Sequence, residues 1–185
     1  MASLHWVLLS YRLPREPSRL RLAVWRRLKR LGAIVQHDAV WLLPGDAKAR
    51  EAFEWLAEEI EEQGGTAYIW EAISLGSAQE HTITAQFRAE ADERYAAIAE
   101  SAEALRRLAS RRRPASRPRL EQVRRQLAGL ERALRLEARR DHFRASGRRR
   151  AEESVRAAVG ALPETSSRAT TARSRAGASA HAVGH

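Results

Sequence analysis

The sequence predicts an α+β fold, a small β-α-β-β-α-β domain followed by a long helical extension, and three observations carry that prediction. Short apolar runs alternate with amphipathic helical stripes through residue 76. From about residue 79 the apolar residues keep only a helical period. After Pro163 the chain is Ser, Thr, Ala, Arg and Gly without apolar periodicity.

Residues 5–11 (HWVLLSY) form an apolar run of strand length that Pro14 ends. Ser18, after Pro17, is placed to cap a helix, and Leu20, Val24, Leu28 and Leu31 line one face of it. Gly32 stops that helix. Residues 33–36 and 39–43 predict two short strands, with His37-Asp38 as the tight connection. Asp46 follows Pro44-Gly45 and can cap a second helix, whose buried stripe is Phe53, Leu56, Ala57 and Ile60. Glu51, Glu54, Glu58 and Glu61 lie among its exposed positions. Gly64-Gly65 end it, and residues 66–73 predict a fourth strand. This order is that of the ferredoxin-like split βαβ arrangement, with two helices on one face of an antiparallel sheet. Trp6, Trp25, Trp41, Trp55 and Trp70 all fall in this region and are assigned to its core or to a dimer interface. A base-stacking platform would need exposed aromatics on the sheet.

In the extension, Phe87, Ala91, Tyr95, Ile98, Ala102, Leu105 and Ala109 alternate steps of four and three. RRRPASRP at 111–118 interrupts the pattern, and Leu120, Val123, Leu127, Leu130 and Leu134 resume it. Two such helices joined by a proline-containing turn predict a long antiparallel helical hairpin. Each stripe can pack on the other, on the domain or on a second subunit, which leaves a homodimer open. Gly147 interrupts the region, and a short helix is expected at 148–160. The expected organisation is thus a ferredoxin-like α+β domain at 1–76, an arginine-rich helical extension at 79–160 and a disordered tail at 163–185.

Apolar residues make up 44% of the chain, an ordinary share for a folded protein. The absence of cysteine excludes a disulfide framework, a thiolate zinc site and a cysteine nucleophile, and it fits a reducing compartment. No segment reaches the apolar length that spans a bilayer, so no membrane association is expected. The N-terminal MASLHWVLLSYRLP lacks the basic lead and cleavage site of a signal peptide, and the expected location is the cytoplasm.

The net charge of +10 is unevenly placed. Residues 1–100 carry 12 basic and 15 acidic side chains, and the remainder carries 21 and 8. A slightly acidic domain joined to a strongly basic extension implies a polyanionic partner. Only Lys29 and Lys48 are lysines. The arginine preference suits bidentate phosphate contacts, although a GC-rich genome produces the same preference.

Two sets of basic residues are candidates for that contact. On the first helix Arg19, Arg26 and Arg30 lie opposite the Leu20/Val24/Leu28/Leu31 stripe, with Lys29 beside them. They could straddle phosphates or hold an oxyanion; they could equally form a solvated face paired with the acidic second helix. Arg27 lies nearer the apolar edge and is expected to pair within the fold. In the extension Arg111, Arg112, Arg113, Arg117 and Arg119 cluster at the predicted turn. Arg124, Arg125, Arg132, Arg135, Arg139 and Arg140 follow, mostly off the leucine stripe. A helix with one leucine face and one broad arginine face suits backbone contacts to duplex DNA. No helix-turn-helix signature marks residues that would read bases, so phosphate contact is expected more firmly than operator specificity.

Catalysis has no constellation. The chain lacks a glycine-rich phosphate loop, an HExxH motif and a nucleophile elbow. The first strand ends at Ser10-Tyr11 without the carboxylate that small metal-dependent nucleases with ferredoxin-like dimers carry there. His5, His37, His81 and His142 are scattered, and His181 and His185 sit in the tail, so no metal site is expected. The chain is expected to be a non-enzyme without a cofactor: a DNA-binding protein first, an interaction or scaffold protein using its helical stripes as the alternative, and a small Cas2-like nuclease ranked last.

A resemblance adds context. The string W-V-L-L-S-Y-R-L-P-R-E-P-S-R-L-R-L-A-V-W-R-R-L-K-R-L-G-A from Trp6, with V-W-L-L-P ending at Pro44, resembles the N-terminal module of the chromate-resistance regulator ChrB. Phe53-Glu54-Trp55-Leu56-Ala57-Glu58-Glu59-Ile60, Gly64-Gly65 and Tyr68-Ile69-Trp70-Glu71-Ala72 extend the match over most of residues 5–75. The resemblance implies a bacterial transcriptional regulator of a chromate-efflux operon that responds to the chromate oxyanion as effector. Full-length members of that family continue into a second, C-terminal domain without a counterpart in this sequence.

Overall fold

Alternation along the first strand, β1 (His5–Arg12), sends Val7 and Leu9 to one face and Trp6 to the other, and all three are buried. A strand buried on both faces needs a layer on each side, and the chain supplies helices for both. The structure, a computed structural model, describes residues 4–16, 18–110 and 116–163. After β1 come α1 (Ser18–Leu31), β2 (Ile34–His37), β3 (Val40–Pro44), α2 (Ala47–Glu62) and β4 (Thr66–Ile73). Three further helices follow, α3 (Ser77–Ala109), α4 (Arg117–Arg140) and α5 (Arg148–Gly160). The four strands lie in the order β2-β3-β1-β4, and each neighbouring pair is antiparallel.

The first core fills the space between the sheet and the pair α1 and α2. Val7, Leu9 and Leu43 from the strands meet Leu20, Val24 and Leu28 of α1 and Phe53, Leu56 and Ile60 of α2. Each helix contributes one stripe at three- and four-residue spacing, as burial against a sheet requires. Asp46 caps α2 by accepting from the Ala49 amide at 2.7 Å. The Ser18 side chain lies outside the described residues.

The opposite face of the sheet is covered by the start of α3. Ile83 and Phe87 pack on Trp6, Ile34 and Leu42. Phe87 stacks on Trp6 with ring centroids 6.1 Å apart, and Phe143 closes the cluster at 6.0 Å from Trp6. The Trp6 indole N–H is satisfied by the Ser74 hydroxyl at 3.0 Å.

Farther along, α3 leaves the sheet and enters a second core shared by three helices. Ala91, Tyr95, Ile98, Ala102 and Leu105 of α3 meet Val123 and Leu127 of α4 and Ala151, Val155 and Ala158 of α5. The alanines let the helix axes approach closely. The stripes predicted in α3 and α4 are therefore largely used inside the chain. The short helix expected at 148–160 is α5, and it completes this core.

One expectation needs correction. His37 belongs to β2 and pairs with Val40, so the tight connection is Asp38-Ala39 rather than His37-Asp38. A bulge between Val35 and His37 absorbs the extra residue, and Asp38 takes the positive φ of 41° that short polar side chains tolerate. The tryptophans also divide. Trp6 and Trp41 are core residues, but Trp25, Trp55 and Trp70 are 48%, 60% and 57% exposed. Each of these three sits one position away from an inward-facing residue: Val24, Leu56 and Ile69. The predicted tail beyond Pro163 and residues 111–115 lie outside the described residues.

Burial pushes the Tyr95 hydroxyl above its ordinary pKa, and the nearby Asp141 carboxylate, which accepts its proton at 3.3 Å, pushes it further. The folded state therefore holds this proton more tightly than the unfolded chain. The resulting stability is complete below about pH 10 and falls as the pH rises beyond it. Urea unfolding at about pH 8 and about pH 10.5 should show a larger alkaline loss for the wild type than for Tyr95→Phe. Equal losses would remove Tyr95 as a source.

Candidate nucleic-acid interface and the helix-end pocket

Helix α1 places Arg19, Arg26 and Arg30 on its exposed side, and none makes an ion pair among the described residues. Its neighbour Arg27 binds Glu59 of α2 at 2.7 Å, which links the two helices as expected. Lys29 is drawn away from the exposed set. Its ammonium binds Glu90 of α3 at 2.7 Å and lies 5.6 Å from the centre of the Trp41 ring.

On α4, Arg117, Arg119, Arg125 and Arg132 are exposed and unpaired among the described residues. Arg124 is half-buried and donates to the Pro163 carbonyl at 2.8 Å, so it ties the end of α5 to α4. Arg111, Arg112 and Arg113 lie outside the described residues. The arginines of α5 differ from those of α4. Arg148 pairs with Glu152, Arg149 with Glu153 and Arg150 with Glu103, at 2.8, 3.9 and 3.4 Å. Exposed arginines without an ion pair among the described residues are thus most numerous on α1 and α4, with Arg106 and Arg107 of α3 and Arg156 of α5 besides.

Where α4 ends against α1, the sequence reading missed a cluster. Glu137 is wholly buried, and its carboxylate accepts from Arg94 Nε at 2.9 and 3.0 Å and from Arg140 Nε at 2.6 Å. Arg94 also reaches Glu90, which holds Lys29, and Arg140 donates to the Lys29 carbonyl at 3.0 Å. The charges form a closed circuit running α1–α3–α4–α1. His142 donates its Nε2 proton to the Leu31 carbonyl at 3.1 Å; a carbonyl only accepts, so the other ring nitrogen is the unprotonated one in neutral imidazole. Gly32 permits the approach. It has a φ of +77°, and a Cβ there would lie 2.6 Å from the Arg140 carbonyl oxygen.

Beside this joint lies a pocket of about 260 Å³ between the end of α1, the start of α2 and the end of α4. Arg30, Asp46, Lys48, Arg139, Arg140 and His142 supply its polar wall, and Leu31, Leu43, Ala49, Ala52 and Leu136 its apolar one. The pocket brings Arg30 together with the end of α4.

The sheet adds one further feature. Tyr68 and Trp70 of the edge strand β4 share the sheet face opposite α1 and α2, with ring centroids 6.5 Å apart. Trp70 donates to the Ser10 hydroxyl at 3.2 Å. These are the exposed sheet aromatics that a stacking platform or a subunit contact requires.

No group of His, Asp and Glu among the described residues could hold a metal ion. No helix among them is long and apolar enough to cross a membrane. A family model described as Protein ChrB, N-terminal, matches residues 21–175. No curated protein and no solved structure matches the chain.

Proposed function

The chain belongs to the ChrB N-terminal family, and from that premise we propose that it is a DNA-binding transcriptional regulator of chromate resistance. It works in the cytoplasm, without catalysis, and the effector its family implies is the chromate oxyanion. The β-α-β-β-α-β unit is read as ferredoxin-like, and the strand order β2-β3-β1-β4 supports this. The packed pair α3 and α4 is read as the antiparallel hairpin that presents the arginines. Arg94 of α3 reaching Glu137 near the end of α4 supports that orientation.

The observation that carries DNA contact is that Arg117, Arg119, Arg125 and Arg132 of one helix are exposed and without an ion pair among the described residues. Unpaired cations on one helix suit phosphate contact, and a duplex releases its condensed counterions when they bind. Arg19 and Arg26 of α1 offer a second, smaller contact. A salt series of duplex-binding measurements tests the reading. Replacing the four α4 arginines with glutamine should flatten the slope of log K against log salt by about 3–4. Absence of duplex binding at low salt refutes it.

A second reading, a module that binds another protein subunit, draws on Tyr68 and Trp70 at the sheet edge. A homodimer through that edge would join two β4 strands. Sedimentation of wild type and Trp70→Ser tests it: the dimer reading requires a self-association that the substitution weakens.

A further inference from the structure

We propose that the pocket between the ends of α1 and α4 and the start of α2 is a binding site for a small tetrahedral oxyanion, held by Lys48, Arg139 and Arg30. The inference rests on the regulatory reading only for its biological meaning; the site itself is argued from charge and shape.

Four arginine and lysine side chains line the pocket, and Asp46 is its one carboxylate. Asp46 is already engaged in capping α2 through the Ala49 amide. Arg140 is committed to Glu137 and to the Lys29 carbonyl. Arg30, Lys48 and Arg139 make no hydrogen bond or ion pair among the described residues. Cations near the ends of α1 and α4 complement those helix dipoles, which accounts for Arg30 and Arg139 separately. It does not account for Lys48, which stands in the first turn of α2, where the dipole disfavours a positive charge. An anion in the pocket they share would offset the charge of all three.

Size and wall chemistry narrow the ligand. About 260 Å³ is below the range of pockets that enclose drug-sized molecules, so it suits an inorganic oxyanion with a few waters better than a nucleotide. Leu31, Leu43, Ala49 and Leu136 keep water from part of the wall, which strengthens charge interactions there. A tetrahedral group could also come from a nucleic-acid phosphate. The recess between three helix ends favours the free ion, because a polymer would have to enter with its neighbouring sugars.

The site would also connect to the joint. An anion against Arg139 would lie beside Arg140, which is held by Glu137, the carboxylate on which the α3–α4–α1 circuit closes. Occupancy is thereby linked to how α4 sits on α1.

The test is calorimetric titration of the whole chain with sodium sulfate and with sodium chromate in a low-salt buffer, without DNA. Saturable one-site binding is expected. Lys48→Gln/Arg139→Gln should weaken it by on the order of tenfold or more, with an unchanged circular dichroism spectrum. Absence of saturable binding, or an unchanged affinity in the variant, overturns the site. Duplex affinity is measured on the same variant. If duplex binding falls in parallel and a short duplex displaces the oxyanion, the pocket holds backbone phosphate and the free-ion assignment is overturned. Because the first titration contains no DNA, loss of the DNA-binding reading leaves its outcome intact.

Discussion

Glu137→Ala is expected to destabilise the protein by about 3–5 kcal/mol, the usual effect of leaving buried charge without its partner. The carboxylate has no contact with solvent and is held by two guanidiniums, those of Arg94 and Arg140. Removing it leaves two cations facing one another in a site that water enters poorly. Glu137→Gln keeps the shape and part of the hydrogen bonding, so it should lose less. The informative comparison is the triple replacement Glu137→Leu/Arg94→Met/Arg140→Met. Buried ion clusters often contribute little net stability over apolar residues of similar volume. The triple variant should therefore recover most of the stability lost by Glu137→Ala. Urea unfolding gives both numbers. A loss below about 1 kcal/mol for Glu137→Ala would mean that the circuit is dispensable.

Gly32→Ala is the second large effect. The left-handed backbone alone costs about 1–2 kcal/mol for an L side chain. The new methyl would also lie 2.6 Å from the Arg140 oxygen and 2.8 Å from the Arg140 Cβ. Overpacking of this kind adds about 1–3 kcal/mol. Gly64 supplies the control. Its φ is +79°, nearly the same, and the nearest atom to an added Cβ is Pro14 Cγ at 3.9 Å. Gly64→Ala should show the backbone part alone. The difference between the two variants in thermal or urea unfolding measures how closely α1 and α4 meet. Equal losses would show that the joint yields without resistance.

Much of the fold was legible because burial follows period. The α3 stripe from Phe87 to Leu105 is buried, and β4 occupies residues 66–73 as predicted. Position rather than side-chain hydrophobicity decides which tryptophans enter the core. Trp25 and Trp55 are off their helix stripes, and Trp70 alternates away from Ile69 and Ala67. The charged circuit had a signal that went unused. Continuing the α4 stripe from Leu120 through Leu134 by three and then four residues lands on Glu137 and Asp141. A carboxylate in an apolar seam needs a cation across from it, and Arg94 is that cation. The pocket had no linear signature at all. Arg30, Lys48 and Arg139 come from three helices, and only the packing of α4 onto α1 brings them together.

Helix α3 is one unbroken element of 33 residues that lies in two cores. Ile83 and Phe87 are set in the sheet, while Ala91 through Leu105 are set among α4 and α5. Taken from the Phe87–Trp6 stack, its far part is one long arm. From Phe87 to Ala109 the arm is about 33 Å at the helical rise, so a tilt of about 5° moves the far end by about 3 Å. A small tilt at the sheet is therefore a large displacement at Ala109, the far end of the helix.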